Sequence, residues 1–301
     1  MNVLKAAVLG KQLAQSISPE VHRQIFPLLK AACNSSFDAI EYLKIELGDE
    51  REFFDFVEHA ESQGFRGGNV TFPYKYCAAQ IAGELTSEVE RNHSANTIAF
   101  GDERKVISTD GFGFLFSLEK NLPNLRYSDF VLTVLGAGGA ARAVLAAISH
   151  LGWKKMTVAA RSPQKAERSF SGFENISVIP LDGIRRENFS RNTEPHFIVQ
   201  ATPVGQRSLE SLLSHFAWSS EDIAADLVYN PLITRFLDNA RKSGARIIDG
   251  LGMLIEQAAL SQYFWMIGME RNRSALSQSE FNELHRSLSP FVTPLWDAFA
   301  I

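Results

Sequence analysis

The 301-residue chain has little cysteine, little net charge and no long apolar run. Its two cysteines, Cys33 and Cys77, provide neither a disulfide framework nor the spacing of a metal site, as expected of reduced thiols. The formal net charge of −4 gives no basic field for nucleic acid or an anionic membrane. The N-terminal apolar run is too short for a signal peptide, and no stretch approaches the about 20 apolar residues of a membrane-spanning helix. We therefore expect a cytoplasmic protein without metal, nucleic-acid or membrane partners.

Strand-like apolar runs alternate with helical stretches along the whole chain, which predicts an α/β fold with mainly parallel sheet. In the first part, Ser18-Pro19 predicts a helix start with Ser18 as N-cap. The strands predicted there are Lys5–Leu9, Tyr42–Ile45, Asn69–Val70 and Thr97–Phe100, and the helices are Glu20–Ala32, Glu50–Gln63 and Cys77–Arg91. The strands predicted in the second part are Phe130–Leu135, Met156–Ala160, Val178–Leu181, Phe197–Ala201, Ile223–Leu227 and Arg246–Ile248.

A glycine-rich turn follows the most apolar of these strands. Gly136-Ala137-Gly138-Gly139-Ala140 joins the predicted strand Phe130–Leu135 to an alanine-rich helix predicted over Ala140–Leu151. A strand, a glycine-rich turn and a helix in this order form the dinucleotide-binding fingerprint. The glycines permit the tight turn and the approach of a pyrophosphate to the helix N-terminus. Ala141 occupies the third glycine position, as the fingerprint allows.

The end of the next strand distinguishes the two nicotinamide dinucleotides. An NAD site usually has Asp or Glu about 20 residues after the turn, where it binds the ribose 2′-hydroxyl. Here the strand ends at Ala160 and is followed by Arg161, Ser162 and Lys165, which can hold a 2′-phosphate. We therefore predict that the cofactor is NADP.

Polar motifs outside this region resemble one family. SxSPxxH, NVTxPxK, ANT, TDGxG, GxGG, ATPxG, DLVYxP and DGxxMLxxQ occur in the order found in shikimate dehydrogenases. They correspond to Ser16–His22, Asn69–Lys75, Ala95–Thr97, Thr109–Gly113, Gly136–Gly139, Ala201–Gly205, Asp226–Pro231 and Asp249–Gln257. The resemblance covers about residues 5–265.

The resemblance implies two domains with the active site in the cleft between them. Residues 1–109 and 250–301 would form an α/β substrate-binding domain, and residues 110–249 a Rossmann-like NADP-binding domain. Lys75 and Asp110 match the family's catalytic pair. By the same motifs the ring of a small polyhydroxylated cyclic acid would be bound by Ser16, Ser18, Asn69, Thr71, Asn96, Tyr229 and Gln257. The cofactor would be bound by Gly136, Ala137, Gly138, Gly139, Ala140, Arg161, Ser162, Lys165, Thr202 and Gly250.

The activity implied is reversible, NADP-dependent reduction of 3-dehydroshikimate to shikimate, a step of aromatic amino acid biosynthesis. The cofactor carries the hydride, while the protein positions the ring and moves a proton. A polyol is recognised by paired hydrogen bonds, which explains the many short Ser, Thr and Asn side chains. We expect a monomer or homodimer.

Several residues depart from the family pattern and keep alternatives open. The family's Asn residues are replaced by Arg23, Ser108 and Gln200, and its usual Met by Gln206. Ala160 replaces the common Asn before the NADP-binding Arg. Because Arg23 and Ser108 lie near substrate motifs, quinate or an aminoshikimate, with NAD or NADP, is the rival substrate. A non-catalytic sensor of a shikimate-type ligand is the alternative from another class of protein.

Overall fold

The computed structural model describes residues 1–81, 89–90, 93–101, 103–184, 194–267, 283, 286, 288–290, 292 and 295–296. The chain divides into two compact units. Unit 1 comprises Met1–Gly113 and Leu254–Ile301, and unit 2 comprises Phe114–Met253. Both boundaries fall inside helices, because Asp110–Asn121 and Leu251–Ile267 are each continuous. The sequence motifs place the boundaries slightly earlier, at 109/110 and 249/250, where those helices begin.

Unit 1 is built on a five-stranded sheet whose order is β2-β1-β3-β4-β5. Strand β1 pairs in parallel with β2 and β3, whereas β4 runs antiparallel to both β3 and β5. The strands are β1 Val3–Gly10, β2 Ala39–Glu46, β3 Gly67–Val70, β4 Thr97–Ala99 and β5 Lys105–Ile107. In the part of unit 1 that is described before the chain passes to unit 2, the helices with both ends defined are α1 Ser18–Cys33, α2 Glu50–His59, α3 Lys75–Ala78 and α4 Asp110–Asn121.

Unit 2 has a six-stranded sheet in which every pairing is parallel. Its strands are β6 Val131–Leu135, β7 Lys155–Ala160, β8 Ile176–Pro180, β9 His196–Gln200, β10 Ile223–Asp226 and β11 Arg246–Ile248. The helices between them are α5 Gly139–Ile148, α6 Pro163–Ser169 and α7 Arg235–Lys242, and α8 Leu251–Ile267 follows the sheet. The sheet order β11-β10-β9-β6-β7-β8 is the doubly wound Rossmann order, in which the connections change direction between β6 and β9.

The core of unit 1 includes a close approach between its sheet and α8. Trp265 is fully buried, and its indole Nε1 donates to the Ile98 carbonyl at 2.9 Å. A Cβ atom on Gly67 of β3 would lie 2.3 Å from the Trp265 ring, so only glycine allows this packing. α8 therefore lies against the strands that carry the polar residues of unit 1.

The prediction of an α/β fold with mainly parallel sheet is confirmed, and most differences concern element ends. Ser18 is the first residue of α1 and not its N-cap; the cap is Ile17, with no capping side-chain bond. Strand β5 and helix α4 were missed. Of the helix predicted over Cys77–Arg91, the described residues show a short helix over Lys75–Ala78, a turn after it, and helical residues again at 89–90. Residues 82–88 and 91 of that prediction, like most of the C-terminal tail, lie outside the described residues. Among the described helices none is long and apolar enough to cross a membrane.

Candidate active site

Lys75 and Asp110 form an ion pair in unit 1. Lys75 opens the short helix α3 directly after the β3 loop, and Asp110 is the first residue of α4, where the helix dipole favours a carboxylate. The Lys75 Nζ donates to Asp110 Oδ2, and the two side chains are only 18% and 9% exposed. Two charged groups are therefore held together with little access to water.

Asn96 supports the pair from the strand side, just before β4. Its Nδ2 donates to the second carboxylate oxygen of Asp110 at 2.9 Å and to Gln257 Oε1 at 3.2 Å. The orientation of the amide is determined, because Asn96 Oδ1 accepts from the backbone N–H of Thr109 at 2.7 Å. Each oxygen of Asp110 thus has its own donor, which leaves the carboxylate fixed in one orientation.

A cluster of three buried hydroxyl groups lies beside Asn96. Ser261 Oγ is 2.8 Å from Thr97 Oγ1 and 3.2 Å from Thr109 Oγ1, which are 3.3 Å from each other. All three residues are fully buried. Asn69 Nδ2 donates to Ser261 Oγ at 2.9 Å and to Thr97 Oγ1 at 3.2 Å. The cluster therefore joins the polar ends of β3, β4, α4 and α8.

Asn69 is held from its other side by an aromatic stack. The Tyr42 hydroxyl donates to Asn69 Oδ1 at 2.8 Å. The fully buried His22 ring stacks on Tyr42 at a centroid distance of 4.1 Å and on Trp265 at 5.3 Å. Burial lowers the pKa of His22 to about 3, an effect only partly offset by Asn69, so the imidazole is neutral at physiological pH. His22 is a packing residue for this polar cluster.

Ser16 lies on the loop after β1, Ser18 begins α1, and Thr71 follows β3. The Ser16 and Ser18 hydroxyls are 3.1 Å apart. The loop that carries Ser16 begins beside Thr71, since Lys11 N donates to the Phe72 carbonyl at 3.1 Å. A Cβ atom on Gly10 would lie 2.4 Å from Thr71 Cγ2, so the end of β1 approaches Thr71 as closely as glycine permits.

The structure thus joins Asn69, Lys75, Asn96, Asp110 and Gln257 into one bonded network, with Ser16 and Ser18 as a separate pair. Sequence reasoning did not assign roles to Tyr42 and Ser261. Ser261 follows Gln257 by one helical turn, and that i,i+4 spacing was the available signal. Tyr42 had no such signal, because it comes from an edge strand.

Arg23 and Ser108 differ in their surroundings. The Arg23 side chain is 64% exposed and pairs with Glu20 on the outer face of α1. Ser108 is buried next to Thr109. Of these two departures from the family pattern, only Ser108 is buried and adjacent in sequence to a residue of the hydroxyl cluster.

The glycine-rich turn in unit 2 lies at the carboxyl end of β6, where the Rossmann order reverses. Gly136 has a φ of +110°, and a Cβ atom there would lie 2.9 Å from Thr202 Cγ2, so the turn needs glycine. A Cβ atom on Gly138 would meet no heavy atom within 4 Å. Gly138 is the N-cap of α5 without a capping side chain, so the helix N-terminus faces open space. A pyrophosphate fits these features.

The other predicted cofactor residues also lie in unit 2. Ala160 ends β7 and is buried, whereas Arg161, Ser162 and Lys165 after it are exposed. Two basic groups and no acid therefore follow the end of β7 within these five residues. Gly250 lies against the backbone of Leu227, whose carbonyl oxygen would be 2.6 Å from a Cβ atom. Tyr229 is part-buried on the loop after β10.

Residues 8–98 match the model of the shikimate dehydrogenase substrate binding domain. The shikimate dehydrogenase (NADP(+)) of Caldicellulosiruptor saccharolyticus is 32% identical over 268 residues, covering 87% of this chain and 91% of that protein. The shikimate 5-dehydrogenase of Thermus thermophilus, solved with NADP(H) and shikimate, is 28% identical with a TM-score of 0.68, covering 94% of this chain and 98% of that one. Quinate dehydrogenase of Corynebacterium glutamicum with NAD, at 23% identity and a TM-score of 0.73 over 96% of this chain and all of that one, shares the fold.

Proposed function

The chain belongs to the shikimate dehydrogenase family, and we propose that it catalyses the reversible, NADP-dependent reduction of 3-dehydroshikimate to shikimate. The similar proteins named above support an oxidoreductase of this kind, because the name of the C. saccharolyticus relative specifies NADP(+). The T. thermophilus neighbour was solved with NADP(H) and shikimate. The residues of this chain supply an independent argument.

The observation that carries the proposal is the part-buried Lys75–Asp110 pair, with Asn96 on the second carboxylate oxygen. Oxidising a secondary alcohol requires removal of the hydroxyl proton as the hydride departs. The amino group of a lysine that is oriented by a fixed carboxylate can accept or donate that proton at a defined position. Asp110 orients Lys75 and accepts a hydrogen bond from a second hydroxyl of the ring.

In the oxidative direction, the Lys75 amine takes the proton of the reacting hydroxyl. In the reductive direction, the ammonium group of Lys75 donates a proton to the forming alkoxide. An ammonium has three donors, and the bond to Asp110 uses one of them. Ser16, Ser18, Thr71 and Gln257 are proposed to bind the carboxylate and the remaining hydroxyls, with Tyr229 as a further contact.

NADP, when bound, supplies the hydride acceptor or donor. We assign its pyrophosphate to the turn Gly136–Ala140, where Gly138 leaves the helix N-terminus open. We assign its 2′-phosphate to Arg161, Ser162 and Lys165, which follow the end of β7. Arginine offers a planar fork of donors, and lysine adds a point charge. Thr202 and Gly250 complete the proposed set.

A substrate-by-cofactor panel tests the activity. Shikimate and quinate are each assayed with NADP and with NAD, following the reduced nicotinamide by absorbance. The proposal expects the highest kcat/KM for shikimate with NADP. Equal or better turnover of quinate with NAD would overturn both the substrate and the cofactor, and shikimate binding without turnover would identify a ligand sensor.

Lys75→Ala tests the catalytic role. General acid–base catalysis contributes about 10²- to 10⁴-fold, so kcat is expected to fall by that factor while the Kd for shikimate changes little. Lys30→Ala is the matched control, because Lys30 also makes an ion pair in unit 1 but with the half-exposed Asp38. Near-normal kcat in Lys75→Ala, with Lys30→Ala also active, would refute the assignment.

A further inference from the structure

A buried hydrogen-bonded group connects two loops of unit 2 that follow neighbouring strands. Asp226 ends β10, Gln200 ends β9, and Thr234 is the N-cap of α7. All three side chains are at most 1% exposed. Asp226 Oδ2 accepts from Gln200 Nε2 at 3.0 Å and from Thr234 Oγ1 at 2.6 Å.

The same residues hold the backbone of both loops. Gln200 Nε2 also donates to the Val204 carbonyl at 3.0 Å, in the loop that contains Thr202. Asp226 Oδ1 accepts from the Val228 N–H at 2.9 Å, in the loop that contains Tyr229. One carboxylate therefore joins the loop after β9 to the loop after β10.

We infer that Gln200, Asp226 and Thr234 are positioning residues, which hold Thr202 and Tyr229 for cofactor and substrate by tying their loops together. This inference rests on the proposed function for the roles of Thr202 and Tyr229. The three residues are called the loop clamp below. In this role the three residues act through the two loops, without contacting cofactor or substrate themselves.

The donors and acceptors of the loop clamp cannot be exchanged without loss. Gln200 Nε2 faces two acceptors, Asp226 Oδ2 and the Val204 carbonyl, so the Gln200 amide has one satisfactory orientation. In Asp226→Asn, an amide N–H₂ replaces one carboxylate oxygen and meets a donor in either orientation. At the Oδ2 position it faces the N–H₂ of Gln200, and at the Oδ1 position it faces the N–H of Val228. Burial raises the pKa of Asp226 to about 6, opposed by the bonds from Thr234, Val228 and Gln200, so the carboxylate is mainly ionised at pH 7 and accepts them all.

Five variants test the inference by steady-state kinetics, NADPH binding measured by fluorescence, and thermal unfolding. Asp226→Asn and Thr234→Val remove clamp bonds without changing side-chain size. Thr234→Ser keeps the hydroxyl for both Asp226 and the helix cap. Thr133→Val is the matched control, because Thr133 is a buried residue of β6 whose hydroxyl has no partner among the described atoms.

We expect kcat/KM to fall at least tenfold in Asp226→Asn and Thr234→Val, with a weaker Kd for NADPH, since small displacements of positioning loops are costly. Thr234→Ser and Thr133→Val are expected within twofold of wild type. Val199→Ala, a cavity variant in β9, separates positioning from stability: it should lower the Tm but leave KM unchanged. Wild-type kinetics in Asp226→Asn, or the same KM change in Val199→Ala, would overturn the inference.

Hydrogen–deuterium exchange tests the loop clamp independently of the proposed function, because it measures the stability of the loops without substrate or cofactor. If wild type fails to bind NADPH or to oxidise shikimate, the proposed function fails, but the loop clamp still predicts faster amide exchange in Asp226→Asn. The increase should be confined to residues 201–206 and 227–233. Unchanged exchange in both segments would refute the loop clamp even in an active enzyme.

Discussion

The bond from Asn96 Nδ2 to Asp110 Oδ1, 2.9 Å long, leads to a prediction about charge. Asn96→Asp keeps the size of the side chain but places an oxygen opposite a carboxylate. Two unit charges about 3 Å apart repel by about 5 kcal/mol at an effective dielectric constant of 20. Retaining a proton is less costly. Keeping a carboxyl group protonated above its ordinary pKa of about 3.9 costs about 1.4 kcal/mol for each pH unit. The free energy of retaining the proton is therefore about 4 kcal/mol at pH 7 and about 1.5 kcal/mol at pH 5.

We therefore expect Asn96→Asp to keep one shared proton and to be destabilised by about 2.5 kcal/mol more at pH 7 than at pH 5. The lost bond to Gln257 Oε1 adds a cost that is the same at both pH values. The sign follows from linkage: the pKa of the new acid is raised in the folded state, so stability is lost as the pH rises above the unfolded value. Urea unfolding at both pH values measures the difference.

The control for this prediction is Asn34→Asp. Asn34 is exposed and caps α1 in the left-handed conformation, which Asp also tolerates. Its change in unfolding free energy should stay within about 0.5 kcal/mol at both pH values. Equal destabilisation of Asn96→Asp at pH 5 and pH 7 would show that its Nδ2 does not face the Asp110 carboxylate, and the reasoning would be refuted.

Three further predictions concern packing, the hydroxyl cluster and the cofactor. Gly67→Ala forces a methyl group into the Trp265 ring and should lower the Tm sharply, whereas Gly172→Ala, which meets open space, should leave it unchanged or slightly raised. Ser261→Ala removes an acceptor from a buried cluster and should cost about 1–3 kcal/mol in urea unfolding; an unchanged midpoint would contradict the cluster. Arg161→Gln should raise the KM for NADP about 10- to 100-fold and leave the KM for NAD unchanged, because a hydrogen bond to a charged group contributes about 1.5–3 kcal/mol. An equal rise in both KM values would show that Arg161 does not bind the 2′-phosphate.

Much of unit 2 was predictable because its signals are local. Strands buried on both faces give continuous apolar runs, and parallel neighbours need a helix between them. The turn at Gly136 requires a positive φ, which its residue type already indicates. Strand β5 was missed because it has three residues beginning with a lysine, so it gives no apolar run of its own, and it is defined by its pairing with β4.

The sequence by itself determined the α/β class, the glycine-rich turn at Gly136 and the residue types of the Lys75–Asp110 pair. Those features depend on neighbours along the chain or on side-chain chemistry. Only the tertiary structure decided what surrounds the pair. Asn69 meets Ser261 across 192 positions of sequence, and the buried polar groups there have to satisfy one another because water cannot reach them. That requirement acts between folded elements, so no local pattern expresses it.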